Sequence, residues 1–253
     1  MASPVKTYQR ELKKFGYRAT WEPNAPVRLG QVGRLHAGAF VPYTSLEELG
    51  IEMKTDSSDG KATLEHNTEG GVKISTKASG QLSPEAGAVL GDTEAGLVIE
   101  FTKDNAVAFK ANDTTNHQIV NLAEVEKRIL DLSNTGRWNK RYVVVTNLIT
   151  AGSTSVFVSR SSGGKVVLKA NGELAPGKVD IADAAANFEL AGSNKMETTI
   201  VGEGDLGPLY RVMRLKTSFF NPGNGSLDIK GGGPESKEEL TEVDINDDEY
   251  DLE

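Results

Sequence analysis

Residues 141–170, RYVVVTNLITAGSTSVFVSRSSGGKVVLKA, constrain the fold more than any other stretch. Tyr142-Val143-Val144-Val145 is an unbroken β-branched and aromatic run, which suits a strand buried on both faces. Residues 154–159 and 165–169 read as two more strands, punctuated by Ala151-Gly152-Ser153 and by residues 161–164. Val156 and Val158 share one face, and Val166 and Leu168 share one face. Strands that turn straight back predict an antiparallel sheet, onto which the remaining elements are expected to pack.

A second strand-rich block covers residues 61–111. Val72, Ile74 and Thr76 alternate with Lys73, Ser75 and Lys77; Leu97, Ile99 and Phe101 alternate with Val98, Glu100 and Thr102. Asp104-Asn105 marks a turn, after which Val107, Phe109 and Ala111 share a face opposite Ala106, Ala108 and Lys110. The pattern predicts half-buried antiparallel strands, with a polar loop over 80–94. Residues 196–201 and 209–215 read as strands joined by a glycine-rich turn. Val179, Ile181, Phe188 and Leu190 belong to elements the pattern does not type.

Two helices stand out. Over residues 5–15, Val5, Tyr8, Leu12 and Phe15 fall at helical spacing and Gly16 can cap the end. Lys6, Arg10, Lys13 and Lys14 make the rest of that surface basic, which fits either a solvated face or contact with anionic lipid head groups. Over residues 121–135, Asn121 caps, Leu122, Val125, Ile129 and Leu132 line one face, and Gly136 ends the helix. Thr44-Ser45-Leu46-Glu47 reads as a capping box opening a short helix, and residues 21–40 read as irregular. The expected class is α+β: a twisted, mostly antiparallel sheet with surrounding helices.

Charge divides the chain unevenly. Ten of the 36 acidic residues sit within 234–253 beside one lysine, while the other 233 residues carry 27 basic and 26 acidic side chains. The body is close to neutral, which argues against nucleic acid as a partner. Residues 221–234, with Pro222, Gly223, Gly225 and Gly231-Gly232-Gly233-Pro234, read as a flexible linker. Residues 235–253 read as an acidic tail, with Ser236 and Glu239 able to cap one or two helical turns that carry Leu240 and Val243. The absence of cysteine excludes disulfides and thiolate chemistry. No apolar leader opens the chain, and no apolar run is long enough for a membrane helix, although barrel strands escape that test.

No motif carries catalysis, so no enzyme activity and no cofactor are expected. Gly202-Glu203-Gly204-Asp205-Leu206-Gly207 matches a dinucleotide fingerprint, but Pro208 and a strand follow where a helix N-terminus is needed. Asp244-Ile245-Asn246-Asp247-Asp248 imitates an EF-hand start, with Glu249 in the glycine position. His36, His66 and His117 are too far apart to form a metal motif.

The order of these segments resembles the gasdermin pore-forming domain of the bacterial type. A basic amphipathic helix precedes two strand-rich blocks separated by a helix. The second block opens on Tyr142-Val143-Val144-Val145-Thr146 and closes on a glycine-rich turn with Pro208-Leu209-Tyr210-Arg211-Val212. The resemblance spans roughly residues 5–216 and implies a gasdermin-like domain over 1–220. It implies a soluble cytoplasmic monomer restrained by its C-terminal segment, through Leu240 and Val243, until a protease acts. Residues 61–111 and 142–170 would then extend into two β-hairpins per subunit. Val72, Ile74, Leu97, Ile99, Phe101, Val107, Phe109, Val156, Val158, Val166 and Leu168 would face the lipid of the inner cell membrane, in a homo-oligomeric barrel serving cell death in antiphage defence. Two departures stand beside this: the acylated N-terminal cysteine of bacterial members is missing, and the C-terminal segment is acidic. The alternatives are a soluble assembly protein whose acidic tail recruits a basic partner, and an enzyme whose site assembles only in space, marked by a cleft of perturbed carboxylates.

Overall fold

A computed structural model describes residues 4–22, 25–58, 61–77, 79, 89–91, 93–170, 188–219 and 236–243. The elements run α1 (Pro4–Leu12), β1 (Arg18–Ala19), β2 (Gln31–His36), β3 (Ala39–Ser45), β4 (Thr55–Ser57), β5 (Ala62–Asn67), β6 (Val72–Lys77), β7 (Gly96–Phe101) and β8 (Val107–Ile119). After α2 (Leu122–Asn134) come β9 (Val143–Ser159), β10 (Gly164–Ala170), β11 (Phe188–Asn194), β12 (Met196–Phe219) and β13 (Ser236–Glu242). Among the described residues strand dominates, at 57%. The ladders of β1 with β12, β2 with β3 and β9, β5 with β8, β7 with β6 and β10, β10 with β11 and β12 with β13 are antiparallel, as the sequence predicts.

The chain forms two compact units, each assembled from three stretches. The first holds residues up to Val27, Ser57–Asn116 and Ile149–Tyr210. In it, β11-β10-β7-β6 form a four-stranded sheet. One face of that sheet shares a core with β8 and β9: Leu97, Ile99, Phe101, Val166 and Leu168 pack with Ala106, Ala108 and Phe157. The opposite faces of β8 and β9 are buried too. Val107, Phe109, Val156 and Val158 pack with Tyr8 and Leu12 of α1. These strands are therefore covered on both sides, where alternation with Lys110 suggested half-burial. Lys110 is tolerated at 6% exposure because its Nζ lies 3.0 Å from Glu65 Oε2, on the residue paired with it across the ladder.

The two expected hairpins of this unit are instead corners between sheets. β7 continues through Asp104-Asn105 into β8, yet its ladder partners are β6 and β10. β9 continues through residues 160–163 into β10, whose partners are β7 and β11. The inward faces of Phe157 and of Val166 and Leu168 explain this, since all three meet in one core only if the strands lie face to face. The corners are tied together. The Ser159 hydroxyl accepts from the Ala106 N–H at 2.9 Å and donates to the Lys103 carbonyl at 3.0 Å. Asp104 Oδ1 accepts from the Ser162 N–H at 2.6 Å, and the Gly163 N–H reaches the Phe101 carbonyl at 2.7 Å.

Several breaks expected from glycine do not occur. β9 is one strand through Ala151-Gly152-Ser153, and β12 is one strand through residues 202–207. Gly152 marks close approach rather than a turn: a Cβ there would lie 3.2 Å from the Cβ of Asp113. Gly204 sits at φ 106 within β12, a backbone conformation that glycine adopts without a Cβ clash. On β6 the faces are as expected, with Val72, Ile74 and Thr76 opposite the core residues Phe101, Ile99 and Leu97, but at this sheet edge Ile74 is 40% exposed while Lys77, on the other face, is 3% exposed. Lys77 Nζ donates to the carbonyls of Gly91 and Glu94, at 2.9 and 2.6 Å, and those bonds replace its water.

The second unit holds Arg28–Asp56, His117–Leu148 and Arg211–Glu253. Residues 21–40, expected to be irregular, contain β2 and the start of β3. Ala37-Gly38, at φ 47 and 79, is the two-residue turn that joins them. The expected helix over 44–50 is a single turn. Its box forms one residue later than read: the Glu48 N–H donates to Ser45 Oγ at 3.1 Å and the Ser45 N–H to Glu48 Oε2 at 3.2 Å. The α2 helix buries Val125 and Ile129 as expected. Asn121 precedes it without a side-chain cap, because its Oδ1 accepts from the Lys54 N–H at 2.7 Å and its Nδ2 donates to Glu124 at 2.9 Å.

The C-terminal helical turns expected after Ser236 are absent. Residues 236–242 are strand β13, paired with β12 from Met213↔Glu242 to Phe219↔Ser236. A neighbouring strand edge with open hydrogen-bonding groups decides the conformation here. Val179 and Ile181, the linker at 221–234 and the acidic run 244–253 lie outside the described residues.

Candidate functional site

Lys6 and Arg10 lie on the face of α1 away from its core, and Lys13 and Lys14 lie on the single 3-10 turn, Lys13–Phe15, that follows it. Tyr8 and Leu12 are fully buried; Lys6, Arg10 and Lys14 are exposed and Lys13 half-exposed. The Lys14 ammonium stands 5.1 Å from the Phe15 ring centre. Glu11 turns elsewhere, contacting His66 Nε2 at 2.8 Å and accepting from the Thr68 hydroxyl at 3.2 Å. The helix thus separates an anchoring face from a cationic one. Replacing Lys6, Arg10, Lys13 and Lys14 with glutamine is expected to weaken binding to anionic vesicles by up to about 1 kcal/mol per charge at low salt. Co-sedimentation checks it, and unchanged binding would leave only a solvated face.

The residues assigned to lipid-facing hairpins are distributed over two cores and one edge. Leu97, Ile99, Phe101, Val166 and Leu168 sit in the first core with Val72 against it. Val107, Phe109, Val156 and Val158 sit in the second. Ile74 stands opposite Ile99 but is 40% exposed, because β6 is the edge strand of that sheet. Beside them, the Lys169 ammonium lies 2.6 Å from Glu94 Oε1, and the Gly91 N–H donates to Glu94 Oε2 at 2.7 Å. These bonds, Lys169 first, hold the Glu94 carboxyl below the usual glutamate range, and Glu94 in turn raises Lys169. A depressed carboxylate contributes stability above its unfolded pKa and loses it as pH falls through the folded one. Glu94→Gln is therefore expected to lower the denaturation midpoint at neutral pH and to flatten its acid-side decline. Identical slopes for both proteins would contradict this.

Leu240 and Val243 are both buried, at 9% and 4% exposure. Leu240 joins Val32, Leu46, Val125, Ile129, Trp138, Val144 and Leu215 in the core of the second unit. β13 is fixed by polar contacts as well. Glu238 meets Lys140 Nζ at 2.9 Å and accepts from Ser133 Oγ at 3.3 Å. The Val243 N–H donates to the Val212 carbonyl at 3.1 Å.

Beside Val243 opens a cavity of about 140 Å³, lined by Arg34, Leu35, His36, Lys140, Arg141, Val143 and Arg214. The Arg34 guanidinium sits 5.4 Å from the ring centre of Tyr142, which stacks on Tyr43 at 5.3 Å and meets Trp138 edge-on at 5.6 Å. Burial, and then Tyr43, push the Tyr142 hydroxyl above its ordinary range. Sequence reading missed this cluster because its cations come from β2, the loop before β9 and β12. Their spacing, from Arg34 to Arg214, has no local signature.

Among the described residues no three histidine, aspartate or glutamate side chains are placed to hold a metal ion. Among them, too, no helix is long and apolar enough to cross a membrane, which leaves β-barrels untouched. No family model matches the chain, and no curated protein matches it.

Proposed function

We propose that the chain is a pore-forming protein of the gasdermin type, kept in its compact form by its C-terminal strand and released by proteolysis within residues 221–234. The observation that carries this reading is β13: a strand at the end of the chain that pairs along β12 and places Leu240 in a hydrophobic core. β12 itself contributes residues to both compact units. Removing its partner strips one edge of backbone bonding and uncovers Leu215.

The cations of α1 and of the turn that follows it supply attraction to anionic lipid. The hairpin segments 61–111 and 142–170 would refold into amphipathic ribbons, and closure into a barrel would satisfy their backbone groups in the bilayer. The activated form acts at the inner cell membrane as a homo-oligomer, and its role is cell death in phage defence. The test is dye release from anionic vesicles by the full chain carrying an inserted cleavage site within 221–234. Release is expected only after cutting; intact vesicles after complete cutting would overturn the reading.

A further inference from the structure

We infer that a second cavity of the second unit, walled by Tyr43, is a saccharide-binding site. It measures about 540 Å³ and is lined by Arg28, Gln31, Tyr43, Ser45, Glu47 and Glu48, together with Met53. Volumes of about 300–1,000 Å³ are usual for small-molecule sites. All these residues fall within the one stretch Arg28–Asp56 of that unit. Tyr43 is 74% exposed although it belongs to β3. A ring left that bare gains folding little by burial. It stacks on Tyr142, 5.3 Å between centres, and Tyr142 takes no part in the lining. One ring therefore backs the other and holds it as a platform beside the cavity.

The walls are formed before any ligand arrives. The Arg28 N–H donates to Gln31 Oε1 at 2.9 Å, the Gly30 N–H to the Val145 carbonyl at 2.9 Å, and the Leu46 N–H to the Gly30 carbonyl at 2.9 Å. A Cβ on Gly30 would stand 2.5 Å from Met53 Sδ, so glycine is what lets Met53 close that wall. Glu48 Oε2 accepts from the Thr44 hydroxyl at 2.6 Å, which orients its carboxylate. The Ser45 hydroxyl accepts from the Glu48 N–H and keeps its own proton to donate. Donors from Arg28, Gln31 and Ser45 thus share one cavity with acceptors from Glu47 and Glu48. The mixture decides the ligand class. A phosphate would gain Arg28 but meet two carboxylates, and a quaternary ammonium would gain Tyr43 and the carboxylates but meet Arg28. A neutral sugar meets no like charge. Its hydroxyls donate and accept together, and its C–H face can lie on the Tyr43 ring.

The proposal does not rest on pore formation, because it concerns the uncut chain in solution. Saturation-transfer NMR on the full chain with glucose, galactose, mannose, N-acetylglucosamine and lactose identifies a bound sugar, and calorimetric titration gives its affinity. At least one is expected to bind with a Kd of about 1 mM or tighter. Tyr43→Ala should weaken that binding roughly 3- to 10-fold, while Tyr43→Phe, which keeps the ring, should bind as the parent does. Circular dichroism verifies that both variants are folded. Uncharged phosphatidylcholine vesicles carrying lactosylceramide test the same sugar on a membrane. Binding to free lactose as well as to these vesicles supports a site for soluble sugar; binding to the vesicles alone supports one for a membrane-borne glycan. No binding to any of these sugars, free or lipid-borne, would overturn the proposal. So would equal affinities of the parent and Tyr43→Ala. Tighter binding of choline or inorganic phosphate than of any sugar would overturn it too, by making the site ionic.

Discussion

A disulfide between β12 and β13 is expected to keep the protein inert even after its chain has been cut. Lys216 and Glu239 are direct partners in that ladder. Residues opposite each other in an antiparallel pair lie about 4.5–5.5 Å apart at Cα. A disulfide spans about 4.4–6.8 Å, so Lys216→Cys with Glu239→Cys can close without moving the backbone. With no native cysteine there is no competing thiol. In the oxidised form, cutting within 221–234 should leave vesicles sealed. Adding reductant should then start dye release, turning it from background to full signal in one step. Equal release before and after reduction would show that β13 is not the restraint. The reading that cutting alone suffices, without departure of the strand, would then have to take its place.

Phe157→Ala is the substitution expected to damage the first unit most. The ring is fully buried and faces the core between β9 and the four-stranded sheet, where Leu97, Ile99, Phe101, Val166 and Leu168 surround it. Truncating a buried phenylalanine costs about 3–5 kcal/mol through lost burial and the cavity left behind. Domain stabilities are roughly 5–15 kcal/mol, so the loss is a large share of the total. Chemical denaturation followed by tryptophan fluorescence measures it. A shift below about 1 kcal/mol would mean that the site collapses around the gap, as cores with mobile neighbours do.

The elements legible from sequence were those whose pattern is local. The run 142–145 announced a strand buried on both faces, and Val143, Val144 and Val145 are buried. Helical spacing found α1 and α2, including the buried Tyr8, Leu12, Val125 and Ile129. What failed needed knowledge of partners. Ala151-Gly152-Ser153 looked like a break until Asp113 of β8 accounted for the glycine. Lys77 looked exposed because nothing nearby in sequence names the carbonyls of Gly91 and Glu94 as its acceptors. Ser236–Glu242 looked helical by its capping pattern, but the edge of β12 outweighs a weak local propensity. For the candidate site, the cationic helix and the two C-terminal apolar residues could be named in advance. The cavity lining could not, since Arg34, Arg141 and Arg214 come together only when β2 and β12 are folded.

The ties between the two sheet corners bear on how slowly backbone protons leave the molecule. Turn amides normally exchange early, because water reaches them without any larger opening. Here the N–H groups of Ala106, Ser159, Ser162 and Gly163 are all bonded, to Ser159 Oγ, the Ala106 carbonyl, Asp104 and the Phe101 carbonyl. Each bond joins one corner to the other, so none can break by fraying of its own loop. These four protons should exchange at rates close to those of the core strands. The protection map should then show two slow turns between slow strands, with the clock for both set by separation of the sheets rather than by local breathing.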